Sequence, residues 1–117
     1  MVGLVGLVPS LAPFGKLPGF GGDPATRQRR RPEVGMYWAL KPEARGNGYA
    51  TEAARALIDW AFDNLELARI VATTEDDNPA SQAVMRRLGM RVERNPDTEP
   101  AWFQVVGCLE APPDPAP

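Results

Sequence analysis

The stretch ARGNGYATEAARALIDWAF, Ala44 to Phe62, sets two glycines and a run of small residues directly before a strongly helical, amphipathic segment. Ala50, Ala54, Leu57, Ile58, Ala61, Phe62 and Leu65 share one stripe at the 3.6-residue period, and Glu52, Arg55, Asp59, Asp63 and Glu66 fall opposite. The spacing predicts a helix packed by one face on a sheet. An ordinary helix start needs only a Ser, Thr, Asp or Asn oxygen to satisfy a free backbone N–H, so the glycines call for another reason. In the first helical turn the unsatisfied N–H groups and the positive end of the dipole point out of the helix. Gly46 and Gly48 can take φ > 0 and carry no Cβ, small Ala50 leaves the helix start uncrowded, and Arg45 adds a charged fork for a phosphate oxygen. Such a turn is a phosphate seat. The other reading is a tight strand-to-helix turn and nothing more, and the residues alone leave both open. The Gly-Lys-Ser/Thr ending of a P-loop and the GxGxxG pattern are both absent.

Outward from this helix the chain reads as alternating elements. Val2 to Val8 is rich in Val and Leu and reads as a buried strand stopped by Pro9. Pro9 to Pro32 turns to Pro, Gly and then basic residues, a long irregular connection, and a loop well beyond about 15 residues is functional or mobile. Glu33 to Leu40 (EVGMYWAL) follows as a strand with Val34, Met36, Trp38 and Leu40 on one face and Glu33, Gly35, Tyr37 and Ala39 on the other. After the helix, Arg69 to Thr74 is a third strand. DNPASQAVMRRLGM then carries Asn78 as N-cap, Pro79 at the first helical position, Arg86 and Arg87 in the last turn and Gly89 as the stop. Met90 to Arg94 and Trp102 to Glu110 read as two closing strands around NPDTEP. The expected organisation is one domain over residues 1–110 and a frayed, Pro-rich tail over 111–117.

Composition narrows the chemistry. A chain of 117 residues with net charge −2 has no global basic field, so neither nucleic acid nor an anionic membrane is an expected partner. The opening MVGLVGLVPSLAP lacks the basic start of a signal peptide, and no stretch approaches the roughly 18 apolar residues of a membrane span. The single cysteine, Cys108, excludes an internal disulfide and reads as a small buried hydrophobe. With no histidine and no cysteine pair, no zinc cage and no Ser-His-Asp or Cys-His machine can form, so no metal is expected. The setting implied is reducing and cytoplasmic, and the chemistry must work without imidazole. Trp38, Trp60 and Trp102 sit at strand and helix spacings that read as packing.

Arg45-x-x-Gly48-x-Ala50 resembles the Arg/Gln-x-x-Gly-x-Gly/Ala signature of the GNAT N-acetyltransferases. YWALKPEARGNGYATEAARAL and ATTEDDNPASQAVMRRLGM together resemble the ribosomal-protein N-acetyltransferase-like (RimJ/RimL-like) branch, in order and spacing, over most of Glu33 to Glu110. The resemblance implies an α/β (α+β) fold, a mixed, mostly antiparallel sheet with flanking helices. It implies acetyl-coenzyme A as cosubstrate and a primary amine, a protein N-terminus or a small molecule, as acceptor. The pyrophosphate would sit on the N–H groups of Arg45, Gly46, Asn47, Gly48, Tyr49, Ala50 and Thr51, and the pantetheine arm would pair with backbone groups of Trp38 and Leu40 where the strands splay. Asn78 would also face the cofactor, and Ser81 would lie near the thioester sulfur to assist the leaving thiolate.

Direct acetyl transfer needs an amine that loses a proton, a polarised carbonyl and a thiolate that leaves, so the lack of histidine is no obstacle. Glu33 is the carboxylate chosen as general base, through water; the bland alternative is a solvated strand-end Glu. Two departures from the family stand out. The place where many members carry a tyrosine acid holds Met85, and the usual N-terminal strand and helices that wall the acceptor pocket have no counterpart in the 32 residues before Glu33. An upstream start, a natural fragment, or a second copy or complementing chain that supplies the wall would each account for this. Two rivals to the enzyme follow, a coenzyme A-binding module without turnover and an inactive fragment. The Arg27, Arg29, Arg30, Arg31 cluster reads as a solvated loop run or as a site for the 3′-phosphate or an acidic acceptor.

Overall fold

The computed structural model describes residues 3–14, 17–20, 30–40, 48–97 and 99–113. Strands β1 (Gly3–Ala12), β2 (Arg31–Leu40), β3 (Arg69–Thr74), β4 (Arg91–Arg94) and β5 (Val105–Glu110) form one sheet in the order β1-β2-β3-β5-β4. Helices α1 (Tyr49–Leu65) and α2 (Pro79–Arg87) lie on one face of it. The β1–β2, β3–β5 and β5–β4 pairs are antiparallel; β2 and β3 run parallel. This is the mixed, mostly antiparallel sheet with flanking helices that the family resemblance implies.

Alternation along the strands splits the core in two. Ile70, Ala72 and Val105 face the helices with Met36, packing against Ala50, Ala54, Ile58 and Ala61 of α1 and Val84, Met85 and Leu88 of α2. Gly107 is part of this packing: a Cβ there would stand 3.0 to 3.1 Å from the sulfurs of Met90 and Met85, so the missing side chain lets α2 settle on β5. The α2 stop is a Schellman closure, with Gly89 at φ 84°, its N–H donating to the Arg86 carbonyl and the Met90 N–H to that of Met85. On the α1 stripe Leu65 departs from expectation. It sits at the helix end and is exposed, as is Trp60, which stands outside the core instead of packing in it.

Val71, Val106 and Cys108 look the other way, into a second cluster completed by Ala12, Phe14, Leu17, Phe20 and Phe103. This corrects the expectation of an irregular connection after Pro9. β1 runs on through Pro9 to Ala12, and β2 begins at Arg31. Pro9 is tolerated because β1 is an edge strand, where an N–H turned away from the partner makes no ladder bond. The same edge position leaves β1 half-exposed where the sequence predicts a buried strand. Beyond it the chain folds back over the sheet, with Leu17 N–H donating to Phe14 C=O and Phe20 N–H to Leu17 C=O, each at 3.0 Å. The Phe14 ring sits 5.2 Å from those of both Phe20 and Phe103.

The last strand is also shorter than expected. Residues Ala101–Phe103 form a 3₁₀ turn that buries Phe103 and leaves Trp102 outside, so β5 starts at Val105; β4 starts at Arg91 because Met90 serves the helix closure. Over β1 and β2 this second face is open: Leu4, Val8 and Tyr37 are exposed, and the Tyr37 ring lies across Gly6, where an added Cβ would run into it. β5 stays attached past its end, where Ala111 N–H donates to Ala68 C=O at 2.9 Å.

Two measurements check this second core. Phe14→Ala removes a fully buried ring and should cost about 3 to 5 kcal/mol, read as a lowered urea midpoint at unchanged m. Cys108 is buried beside Glu110, and desolvation first, the carboxylate second, push its thiol up to about 11. In the unfolded chain the thiol ionises at lower pH, so the folded state holds the extra proton and loses stability as pH rises through the interval up to about 11. Chemical denaturation between pH 8 and 11 should show that decline, and Cys108→Ala should flatten it.

Candidate functional site

The site begins at the glycine turn. Gly48 is the N-cap of α1 in the left-handed conformation, φ 76°, and an added Cβ would meet nothing within 4 Å. Glu52 N–H donates to Gly48 C=O at 3.0 Å, and among the described residues no side chain caps the turn. Thr51 Oγ1 is buried there without a hydrogen-bond partner. An uncrowded N-terminus, a positive-φ glycine and an orphaned hydroxyl suit an anionic group that would take the free donors. Arg45, Gly46 and Asn47 lie outside the described residues, as do Arg27 and Arg29.

The turn opens into a groove of about 520 Å³ between α1, α2 and the end of β2. Gly48, Tyr49, Ala50 and Thr51 form one bank and Ala80, Ala83 and Val84 the other; Trp38, Asn78 and Ser81 close one end and Arg87 stands at the far end of α2. The small residues on both helices are what keep the groove open. Trp38, Asn78 and Ser81 also line a second cleft, about 300 Å³, bounded by Met36, Ala72 and Thr74 on the helix side and by Val8, Ser10 and Tyr37 on the other face. That cleft passes between β2 and β3. It exists because the two strands pair at one position, Gly35 with Val71, and diverge towards their C-terminal ends.

Hydrogen bonds hold its walls. Asn78 Oδ1 accepts from the Ser81 N–H at 3.1 Å, the N-cap bond its place in the sequence predicts. The Trp38 indole N–H donates to Ser81 Oγ at 3.3 Å and ties β2 to α2 across the cleft. Gln82 is buried and donates to the carbonyls of Glu75 and Asp76, and Gln104 Oε1 accepts from Asp76 N–H, so the loop that delivers Asn78 is pinned from two sides. Neither glutamine is distinguishable in the sequence from a surface residue.

Of the predicted residues, Trp38, Gly48, Tyr49, Ala50, Thr51, Asn78 and Ser81 come together in this groove. Leu40 ends β2, in register with Gly3 of β1. Glu33 goes elsewhere. Its carboxylate accepts from Arg69 Nε at 2.8 Å and Nη2 at 2.6 Å at the N-terminal ends of β2 and β3, lining a separate hollow with Leu7, Val34 and Leu67. Glu33 is therefore no solvated strand-end residue: its side chain is 8% exposed. Its hydrogen bond holds the Arg69 guanidinium more firmly charged than usual against the opposing effect of burial, and Arg69 in turn lies 4.8 Å over the Phe20 ring. Met85 is buried against Gly107, away from the groove. Arg87, read from sequence only as a helix-end cation, was missed as a lining residue; its i+4 and i+7 spacing from Ala83 and Ala80 on the same bank was the available signal.

Among the described residues no group of three or more His, Cys, Asp or Glu side chains could hold a metal ion, and no helix is long and apolar enough to cross a membrane. Residues 3–91 match the family model described as an acetyltransferase (GNAT) domain. The Bacillus subtilis protein YnaD, described as an uncharacterized N-acetyltransferase, is 41% identical over 61 residues, which are 52% of this chain and 35% of YnaD. The chain thus spans about a third of that relative's length. Among solved structures, the ribosomal-protein-S5-alanine acetyltransferase of Vibrio fischeri superposes with a TM-score of 0.56 at 24% identity, over 67% of this chain and 45% of that one. The aminoglycoside acetyltransferase AAC(6')-Ib in complex with coenzyme A does so with a TM-score of 0.58 at 20% identity, over 66% and 44%. With three quarters of its length under one family model and this fold around the glycine turn, the chain belongs to the GNAT acetyltransferase family.

Proposed function

We propose that the groove seats acetyl-coenzyme A and that the chain transfers its acetyl group to a primary amine. The observation that carries this reading is continuity: an uncapped helix start with an orphaned Thr51 hydroxyl leads, past small side chains, to a cleft that crosses the sheet. In this reading the N–H groups of Tyr49, Ala50 and Thr51 take the pyrophosphate, with Gly48 leaving room for it. The backbone of Trp38 and Leu40 borders the pantetheine arm. Bound acetyl-coenzyme A supplies an activated thioester acyl group. Ser81 accepts from the Trp38 indole, which leaves the Ser81 proton to point into the cleft towards the leaving sulfur. Asn78 fixes the first turn that carries Ser81. The amine enters from the open face beside Ser10 and Tyr37, and proximity rather than a protein nucleophile drives the attack.

A second reading, binding without turnover, draws on one specific observation: among the described residues lining groove and cleft there is no Asp, Glu or His. Glu33, the expected base, is engaged by Arg69. We place it as the clamp of the β2–β3 junction and not at the reacting atoms.

Two experiments test these assignments. Gly48→Val strains a position at φ 76° and sets a branched side chain where the pyrophosphate would lie; calorimetric affinity for coenzyme A should fall at least about tenfold, or about 1.4 kcal/mol. Unchanged affinity in a folded variant would remove the phosphate seat. Glu33→Gln should lower stability by about 1 to 3 kcal/mol while coenzyme A affinity stays within twofold. A fall in thiol release of about 10² to 10⁴ at unchanged stability would instead restore Glu33 as general base. Wild-type chain that binds coenzyme A yet releases no thiol with any amine would favour the second reading.

A further inference from the structure

We infer that Arg87, backed by Arg55, is a second anion station in the groove, recognising the terminal phosphomonoester at the nucleotide end of coenzyme A. The inference rests on the coenzyme A reading above and assigns the part of the ligand that the glycine turn leaves unaccounted for. α2 gives the groove a direction. Its N-terminal residues Asn78 and Ser81 stand at the cleft through the sheet, and its last residue, Arg87, lines the opposite end, about 13 Å away at 1.5 Å per residue. A ligand that runs from the cleft past the α1 N-terminus therefore continues towards Arg87. The first anionic group on that path meets the backbone N–H groups of α1; one lying beyond it meets a guanidinium.

The charge at that end is doubled. Arg55 Nη2 donates to the Arg87 carbonyl at 2.6 Å, which brings a guanidinium of α1 against the end of α2. A basic residue in a last turn is ordinarily explained by the helix dipole, with its side chain reaching back to the terminal carbonyls. Here that carbonyl is already taken by Arg55, and Arg87 is one of the residues that line the groove. Both arginines are exposed, and among the described residues neither is ion-paired and no carboxylate lines the groove. A planar fork of N–H donors suits a phosphomonoester, which offers several terminal oxygens and close to two negative charges near neutral pH.

The test compares coenzyme A with dephospho-coenzyme A, which lacks only that phosphate, by calorimetry on the full chain. Wild type should prefer coenzyme A by about tenfold or more, and the preference should shrink as salt is raised. Arg87→Gln, at an exposed position, should lose most of that preference while its affinity for dephospho-coenzyme A stays within twofold; Arg87→Lys should retain part of it. Arg55→Gln should lower the preference by a smaller factor. Equal wild-type affinity for the two ligands, or an Arg87→Gln variant that keeps the full preference, would overturn the station and leave the coenzyme A reading standing. A wild-type chain that binds neither ligand would overturn both.

Discussion

The structure depends on a contact that is almost absent. β2 and β3 are the neighbouring strands through which the β1–β2 hairpin joins the rest of the sheet, and they pair at one position, Gly35 with Val71. A parallel pair so short has too few ladder bonds to fix its own geometry. Side chains do it instead. Below the pairing point Glu33 and Arg69 form a two-bond clamp, and above it Trp38 reaches over to Ser81 of α2. The strands are held together at one end and propped apart at the other, and the gap between them is the cleft. Closing it by further pairing would satisfy more backbone and abolish the site. Polar backbone groups along the divergent segment are thus left for water or for an extended ligand arm.

That division explains what could be read in the sequence. α1 and α2 announce themselves by period and by local punctuation: Gly48 before one, Asn78-Pro79 and Gly89 around the other. Their caps are contacts between residues three or four apart, so residue type and spacing suffice. The same locality made Gly48, Asn78 and Ser81 legible as residues that line the groove, since a helix start is where both a cap and an anion seat can be built. The pairing of Glu33 was hidden for the converse reason. Its partner is 36 residues away, and nothing near it in the chain separates a clamped carboxylate from a free one. Arg87 was visible only as charge, because the carbonyl that Arg55 occupies at its back is a tertiary fact.

The second core was hidden for a related reason. Phe14, Leu17 and Phe20 are scattered among glycines and prolines, with neither the period of a helix nor that of a strand, and they are buried by what they meet across the sheet: Val71, Val106, Cys108 and Phe103. Phe103 itself sits in a run that alternates well enough to pass for strand, yet the backbone after Pro100 turns tightly so that one ring goes in and its neighbour, Trp102, stays out. Packing overrides propensity where a single large side chain gains more from burial than the backbone loses by leaving the ladder.

The two cores also divide the labour of the fold. The helix side supplies the groove, and its banks are small side chains over a methionine- and alanine-rich layer that tolerates a ligand lying on it. The other side is sealed over β3 and β5 and open over β1 and β2, so the cleft joins a shaped groove to an unshaped apolar face. In the proposed reading, specificity for the donor rests on backbone N–H groups and guanidinium forks at fixed places. Specificity for the acceptor cannot be set by the described residues alone. Val8, Ser10 and Tyr37 offer two hydroxyls and no fixed charge, and an amine held by so little loses the orientation on which attack without a protein nucleophile depends. In such a site the rate would follow how firmly the open face is covered, more than the proton affinity of any one side chain.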